Sequence, residues 1–225
     1  MALVWALIPI ANGIFFTRVP IAPLLDEGEK GLTMGELFKK KIFWVLMLMM
    51  LCAGASEQAV SQWASIWLRK ALESIKLSED LAGPMAFAIL MGSSRAFYGK
   101  FGDKINLERF MQYSAVLCMV SYLMIAFIPV PALGILGCAV CGLSVGIMWP
   151  GTFSMAAASV KRGGTALFAL LALAGDVGCS IRTNLCGMIS GALNDNLKLG
   201  IFAALIFPVL MIMGIKMIGS LQKYD

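Results

Sequence analysis

Seven long apolar runs constrain the fold of this sequence more than any other feature. A helix needs about 20 mostly apolar residues to cross a bilayer, and most of the runs are at least that long. The runs cover residues 1–17, 42–66, 80–99, 107–129, 131–158, 164–193 and 197–219. A soluble domain carries about 25% charged residues, whereas this chain has 14% charged and 60% hydrophobic residues. The runs therefore predict an all-α membrane protein, and they exclude a soluble enzyme and a nucleic-acid binder.

The runs also predict the domain organisation and the orientation. The first run starts at Met1 without the basic region of a signal peptide, so we interpret 1–17 as a truncated transmembrane helix. Residues 18–41 form a linker loop, and residues 42–225 form a six-helix transmembrane domain. Most lysines and arginines collect on the side of the linker, which makes that side cytoplasmic. We expect a multi-pass protein of the cytoplasmic (inner) membrane with its carboxyl terminus inside.

Histidine and cysteine usage limits the chemistry. Histidine is absent, which removes imidazole-based nucleophilic pairs, metal sites and proton relays. All six cysteines lie inside apolar runs, whereas a disulfide framework would place them in exposed connections. Cys138 and Cys141 are three residues apart, but no second ligand pair accompanies them, so packing is favoured over a metal site. We expect no enzyme activity, no metal and no cofactor.

Ionisable residues inside the runs are the candidate functional groups, because a charge in the hydrocarbon region is costly. Glu57 lies in the second run, and Asp176 and Arg182 lie in the sixth. Glu57 and Arg182 fall at one depth and can meet if their helices are neighbours. Asp176 lies about 9 Å deeper, given about 1.5 Å of rise per residue. Arg95 lies near the cytoplasmic end of the third run, from which its long side chain can reach the interface.

Polar side chains accompany both carboxylates at helical spacing, as expected along the wall of an aqueous cavity. The stripes are Gln58, Ser61 and Gln62 after Glu57, and Ser180 and Thr183 after Asp176. Polar contacts between helices are the alternative, which we favour for the serine and threonine members. Trp149 and Pro150 interrupt the fifth run, and Trp149 can stack on a sugar ring or simply fill space. The predicted solute-binding residues are Glu57, Gln58, Gln62, Trp149 and Asp176, and the predicted proton-coupling residues are Glu57 and Asp176.

Short motifs add a candidate gate and two packing sites. The connection after the third run reads Tyr98-Gly-Lys-Phe-Gly-Asp-Lys104, and its glycines permit a tight turn. An ordinary charged loop is the alternative. The pairs Gly142–Gly146 and Gly187–Gly191 allow close helix packing, and Asn106 predicts a helix start. The candidate gating residues are Arg95, Gly99, Gly102, Asp103 and Lys104.

These motifs resemble the C-terminal half of a major facilitator superfamily transporter, and the likeness is greatest to bacterial fucose-permease-like members. The Gly99-x-x-x-Asp103-Lys104 loop resembles the cytoplasmic signature between the second and third helices of each half. The segments 142–151, 163–169 and 174–179 are more specific parts of the resemblance. It covers essentially the whole chain.

The resemblance implies half of a twelve-helix fold that works by alternating access, in which two halves rock about a midplane site. It implies secondary active transport of a small polar solute such as a sugar. We expect a symporter coupled to protons through Glu57 or Asp176, because burial disfavours a charged carboxylate. The Asp103 loop would hold the cytoplasmic gate closed. The expected partners are the solute, protons, the lipid bilayer, and a missing N-terminal half or a second copy.

Three other functions stay open from the sequence. A degenerate half-transporter or a membrane interaction protein without transport activity is favoured by the missing half and by Arg182. An efflux pump for apolar compounds is disfavoured by the glutamine-rich stripe after Glu57. An enzyme is disfavoured most, because the sequence contains no nucleophile–base or metal constellation.

Overall fold

The computed structural model describes residues 2–20, 31–61, 82–128, 130–192 and 202–221. Every regular element in these ranges is helical. In chain order they are α1 (Ala2–Phe16), α2 (Met34–Lys39), α3 (Lys41–Ser61), α4 (Ala82–Phe101), a 3-10 turn (Gly102–Lys104), α5 (Leu107–Phe127), α6 (Pro131–Val145), α7 (Met148–Ser159), α8 (Gly164–Ala192) and α9 (Ile206–Leu221).

Four segments of the described chain are long and apolar enough to cross a membrane. They are Lys41–Gln58, Leu107–Phe127, Ala132–Ser159 and Gly164–Ile181. The third of these contains both α6 and α7, so the two short helices are parts of one candidate span. The prediction of an all-helical, multi-pass membrane protein is confirmed at this level, whereas the count of six spans stays a prediction.

Helix α3 lies at the centre of the bundle and makes its closest crossing with α8. A Cβ atom at Gly54 would overlap the backbone carbonyl oxygen of Gly175, and one at Gly178 would overlap that of Leu51. The two helix backbones are therefore in direct contact, which only glycine allows at these positions. Helix α9 packs on α3 as well, at Gly214 and Met49.

Helices α4 and α6 form a second close crossing, at the pair Gly142–Gly146. A Cβ atom at Gly142 would overlap the carbonyl oxygen of Phe87, and one at Gly146 would come within 2.8 Å of the carbonyl oxygen of Met91. This packing prediction is confirmed. The pair Gly187–Gly191 lies outside the part of α8 whose packing the structure describes, and it stays a prediction.

The ends of the helices follow from local capping groups. Asn106 accepts a hydrogen bond of 3.0 Å from the backbone N–H of Arg109 through its side chain, and it begins α5 as predicted. In the linker, Thr33 and Glu36 form a capping box that begins α2. The sequence analysis treated residues 18–41 as loop throughout and missed this short helix, because its single buried residue, Leu37, gives no periodic pattern.

Helix α1 lies apart from the core. Between Ala6 and Phe16, where burial is described, no residue belongs to the apolar core, and the large side chains from Leu7 to Phe16 are exposed. The core is instead built from α3, α5, the α6–α7 span, α8 and α9, with Phe87 from α4 and Leu37 from α2.

Candidate functional site

Glu57 of α3 and Arg95 of α4 form the one salt bridge within the described residues. Nη2 of Arg95 lies 3.4 Å from Oε2 of Glu57, and the two side chains are 43% and 24% exposed, respectively. Glu57 is the last but one residue of the apolar segment Lys41–Gln58. An acidic group at this position therefore has a cationic partner, and the described residues cover neither side chain completely.

This pairing adds to what the sequence indicated. The side chain of Arg95, which can reach the membrane interface, is exposed, and its guanidinium contacts Glu57. Depth along the helices had suggested Arg182 as the partner of Glu57. Helices α3 and α8 are neighbours, as that idea required, but the side chain of Arg182 lies outside the described residues.

The same guanidinium also reaches the break between α6 and α7. Its Nε donates a hydrogen bond of 3.3 Å to the backbone carbonyl oxygen of Gly146. Helix α6 ends at Val145 and α7 begins at Met148, which confirms the interruption predicted near Trp149 and Pro150. Pro150 has no N–H, so it cannot donate the helical bond to the carbonyl four residues earlier, which is that of Gly146.

Tyr122 of α5 fixes the backbone next to Glu57. Its hydroxyl donates a hydrogen bond of 2.8 Å to the carbonyl oxygen of Ser56, and both residues are buried. The sequence analysis did not single out Tyr122. Its signal was a hydroxyl-bearing aromatic residue inside an apolar run, because a buried Tyr usually finds a hydrogen-bond partner.

Helix α8 closes the site from the other side. The thiol of Cys179 donates to the carbonyl oxygen of Gly54 at 3.4 Å, and the side chain of Gln58 is hydrogen-bonded to the same thiol. Both Glu57 and Asp176 lie close enough to Cys179 to interact with it electrostatically. Three of the predicted binding residues, Glu57, Gln58 and Asp176, therefore lie around one cysteine that the sequence analysis left out of the site.

The other polar residues of the stripes contribute less. The hydroxyl of Ser180 donates to the backbone carbonyl of Asp176 at 3.1 Å, within α8 itself. Asp176 is exposed on the same helix. Gln62 and the side chains of Ser61 and Thr183 lie outside the described residues, so their predicted roles stay predictions.

Trp149 packs its six-membered ring on Gly175, the residue before Asp176. A Cβ atom at Gly175 would meet ring atoms Cη2, Cζ2 and Cζ3 of Trp149. The ring also lies 6.4 Å from that of Phe153, which lies 5.9 Å from that of Phe168. The indole Nε1 of Trp149 is buried and has no hydrogen-bond partner in the described structure. Trp149 thus connects α7 to the part of α8 that carries Asp176.

The remaining candidate gate residues lie together at the end of α4, in a separate place. Gly102, Asp103 and Lys104 form the 3-10 turn, and a Cβ atom at Gly102 would lie 3.1 Å from the ring of Tyr98. The hydroxyl of Tyr98 bonds that of Ser154 at 3.2 Å, which links α4 to α7. Gly99 has open space around it. Arg95, by contrast, contacts Glu57.

Among the described residues, no group of three or more Cys, Asp or Glu side chains is placed to hold a metal ion. A half-buried carboxylate, a guanidinium and an amide meet instead where α3, α4, the α6–α7 break and α8 come together.

A bundle of apolar helices with an ion pair between two of them is one arrangement that membrane transporters use. The family model described as Major Facilitator Superfamily matches residues 1–182. The chain therefore belongs to the major facilitator superfamily, whose members sit in membranes and handle small solutes. No curated protein matches the chain.

Proposed function

We propose that this chain is the C-terminal half of a proton-coupled secondary active transporter for a small polar solute such as a sugar. In function it would resemble the bacterial fucose-permease-like symporters. The observation that carries the proposal is the ion pair between Glu57 and Arg95 inside the bundle. The family supports membrane transport in general, and the pair supplies a group that can bind a proton.

Proton coupling needs a carboxylate that is charged in one state and neutral in the other. Glu57 suits this role, because an acidic group in an apolar segment needs either a counter-charge or a proton. Arg95 supplies the counter-charge at 3.4 Å, and the 24% exposure of the Glu57 side chain lets protons reach it. Proton binding would break the pair, so that α3 and α4 are held together differently in the two states.

The solute would bind beside this pair. Gln58 and Gln62 offer amide groups, and Asp176 offers a carboxylate, all of which can hydrogen-bond sugar hydroxyls. The indole of Trp149 rests on Gly175, next to Asp176, where a sugar ring can stack on its outer face. Asp176 is the second candidate for the proton-coupling residue.

The wall facing this site would come from the missing N-terminal half or from a second copy of the chain. The exposed apolar side chains of α1 support this, because they lie outside the core. Gly99, Gly102, Asp103 and Lys104 would form the cytoplasmic gate at the end of α4. The protein would lie in the inner membrane with its carboxyl terminus in the cytoplasm.

Uptake into proteoliposomes tests the proposal. The intact transporter that contains this chain is reconstituted, and labelled sugars are offered with and without a proton gradient that is alkaline inside. We expect gradient-driven accumulation, which Glu57→Gln abolishes while downhill exchange of the same sugar continues. Glu108→Gln makes the same chemical change at the start of α5 and serves as the control. Accumulation by Glu57→Gln equal to that of the wild type would exclude Glu57 as the coupling group.

A further inference from the structure

One guanidinium group connects the acidic site to the backbone of the neighbouring span. From α4, Arg95 reaches Oε2 of Glu57 with Nη2, at 3.4 Å, and the carbonyl oxygen of Gly146 with Nε, at 3.3 Å. The two acceptors lie in different helices, α3 and the end of α6. The side chain of Arg95 therefore links three helices through two hydrogen bonds.

Two features of the sequence place the second acceptor within reach. Pro150 lacks the N–H that would otherwise bond the Gly146 carbonyl, and a backbone carbonyl inside a bundle requires a donor. Gly146 has no side chain to separate its backbone from α4, where a Cβ atom would come within 2.8 Å of the Met91 carbonyl and 2.9 Å of Ser94. Arg95 directly follows Ser94, so its guanidinium lies beside the break.

We infer that Arg95 is a positioning residue that couples the charge of Glu57 to the bend between α6 and α7. This inference rests on the proposed role of Glu57 as the proton-binding group. While Glu57 is ionised, its charge holds the guanidinium over the Gly146 carbonyl. When Glu57 takes up a proton, Arg95 loses its counter-charge and turns away from the Gly146 carbonyl, a movement that is open to it because the described residues leave 43% of its side chain uncovered. The carbonyl then loses its donor, and the span is free to bend at the break.

The other titratable groups on the helix segments next to Glu57 and Arg95 come from three helices. Helix α8 contributes Cys179 and Asp176, and Arg182 lies further along the same helix. Helix α5 contributes Tyr122, whose hydroxyl bonds the Ser56 backbone. Helix α4 contributes Tyr98, whose hydroxyl bonds Ser154. Asp176 is the one other carboxylate among the described groups here, so Asp176→Asn separates a general effect of negative charge from the effect of Glu57.

Amide hydrogen exchange across residues 147–151 tests the link without measuring transport. The full chain is compared in nanodiscs as wild type, Glu57→Gln, Arg95→Gln and Pro150→Ala. We expect Glu57→Gln and Arg95→Gln each to speed exchange at the break by about tenfold, the ratio for losing one hydrogen bond to a charged donor. Pro150→Ala restores a backbone donor to the Gly146 carbonyl. It should slow exchange, and adding Glu57→Gln should then have no effect.

Matched variants control for unrelated effects. Arg109→Gln removes an exposed arginine of α5. Pro208→Ala adds an N–H in the first turn of α9, where a proline costs no intrahelical hydrogen bond. Neither should change exchange at 147–151, and Asp176→Asn should change it by less than twofold. If Arg95→Gln does not fold, Arg95→Lys replaces it in the comparison. Lysine keeps the positive charge but has one nitrogen for two acceptors, so this variant should still speed exchange.

Specific outcomes would overturn the inference. Unchanged exchange in Glu57→Gln, with faster exchange in Arg95→Gln, would show that Arg95 caps the break independently of Glu57. Unchanged exchange in both variants would show that Arg95 does not hold the break at all. If Glu57→Gln speeds amide exchange at the break but the wild type shows no proton-driven uptake, the proposed function is refuted and this link stands. If uptake is proton-driven but Glu57→Gln leaves the exchange unchanged, the link alone is refuted.

Discussion

The hydroxyl of Tyr122 donates a hydrogen bond of 2.8 Å to the backbone carbonyl of Ser56, across the interface between α5 and α3. Ser56 immediately precedes Glu57, so this bond fixes the backbone from which the acidic side chain extends. Tyr122 and Ser56 are both fully buried. Helix α5 therefore supports the proton-binding candidate through the backbone of α3 and not through its carboxylate.

Tyr122→Phe removes this hydroxyl and keeps the ring. We expect it to destabilise the chain by about 1 kcal/mol, the usual net contribution of one hydrogen bond. Thermal unfolding in detergent measures the change. Tyr113→Phe makes the same substitution on the same helix at a residue that is 71% exposed, and it should have no effect. Equal stability of the two variants would contradict a supporting role for Tyr122.

Gly54→Ala tests the direct contact of α3 with α8. The added methyl group would overlap the carbonyl oxygen of Gly175, which belongs to the backbone and cannot move alone. We expect a loss of about 1–3 kcal/mol or more, as for other overpacked cores. Gly92→Ala is the control, because Gly92 lies in α4 with open space around it. This second variant should be neutral or slightly stabilising, since alanine favours helix more than glycine does. A neutral Gly54→Ala would refute the contact.

Periodicity and hydropathy predicted much of the fold, because a span must be long, apolar and helical. The start of α5 at Asn106, the break near Pro150 and the close packing of Gly142 and Gly146 all followed from local residue chemistry. The α3–α8 crossing did not follow. Gly54 is the one glycine in its run, and its partners in contact, Gly175 and Cys179, are more than a hundred positions away.

The sequence indicated candidate residues for the site, but it did not indicate which of them contact each other. Glu57 stood out because charge is rare in apolar runs, but its partner depends on how helices tilt and rotate. A fixed rise per residue could not show that Arg95 turns inwards to Glu57 and to Gly146. Tyr122 and Cys179 were missed because each resembles an ordinary core residue until the facing helix is known.

The capping box of α2 predicts a pH dependence outside the membrane-spanning segments. The backbone N–H and the hydroxyl of Thr33, at 2.7 and 2.8 Å from Oε2 of Glu36, hold the pKa of Glu36 below its ordinary value of 4.5. A lowered folded-state pKa stabilises α2 fully above pH 4.5, and the contribution is lost as pH falls through the folded pKa.

Amide exchange at residues 36–40, corrected for the intrinsic effect of pH, measures this dependence. Protection should be constant from pH 7 to about pH 5 and should fall at lower pH. Glu36→Gln keeps a hydrogen-bonding side chain but does not titrate, so its protection should not follow this curve. A wild-type profile identical to that of Glu36→Gln would show that the carboxylate does not stabilise the helix.

Gly175 and Trp149 should show strong coupling in a double-mutant cycle. Gly175→Ala places a methyl group against atoms Cη2, Cζ2 and Cζ3 of the indole, and Trp149→Phe removes the part of the indole that carries these atoms. Each single variant should destabilise the chain, the first by overpacking and the second by leaving a cavity. The double variant should be more stable than the sum of the two predicts, by about 1 kcal/mol or more. Unfolding in detergent measures all four proteins, and purely additive losses would show that the indole does not rest on Gly175.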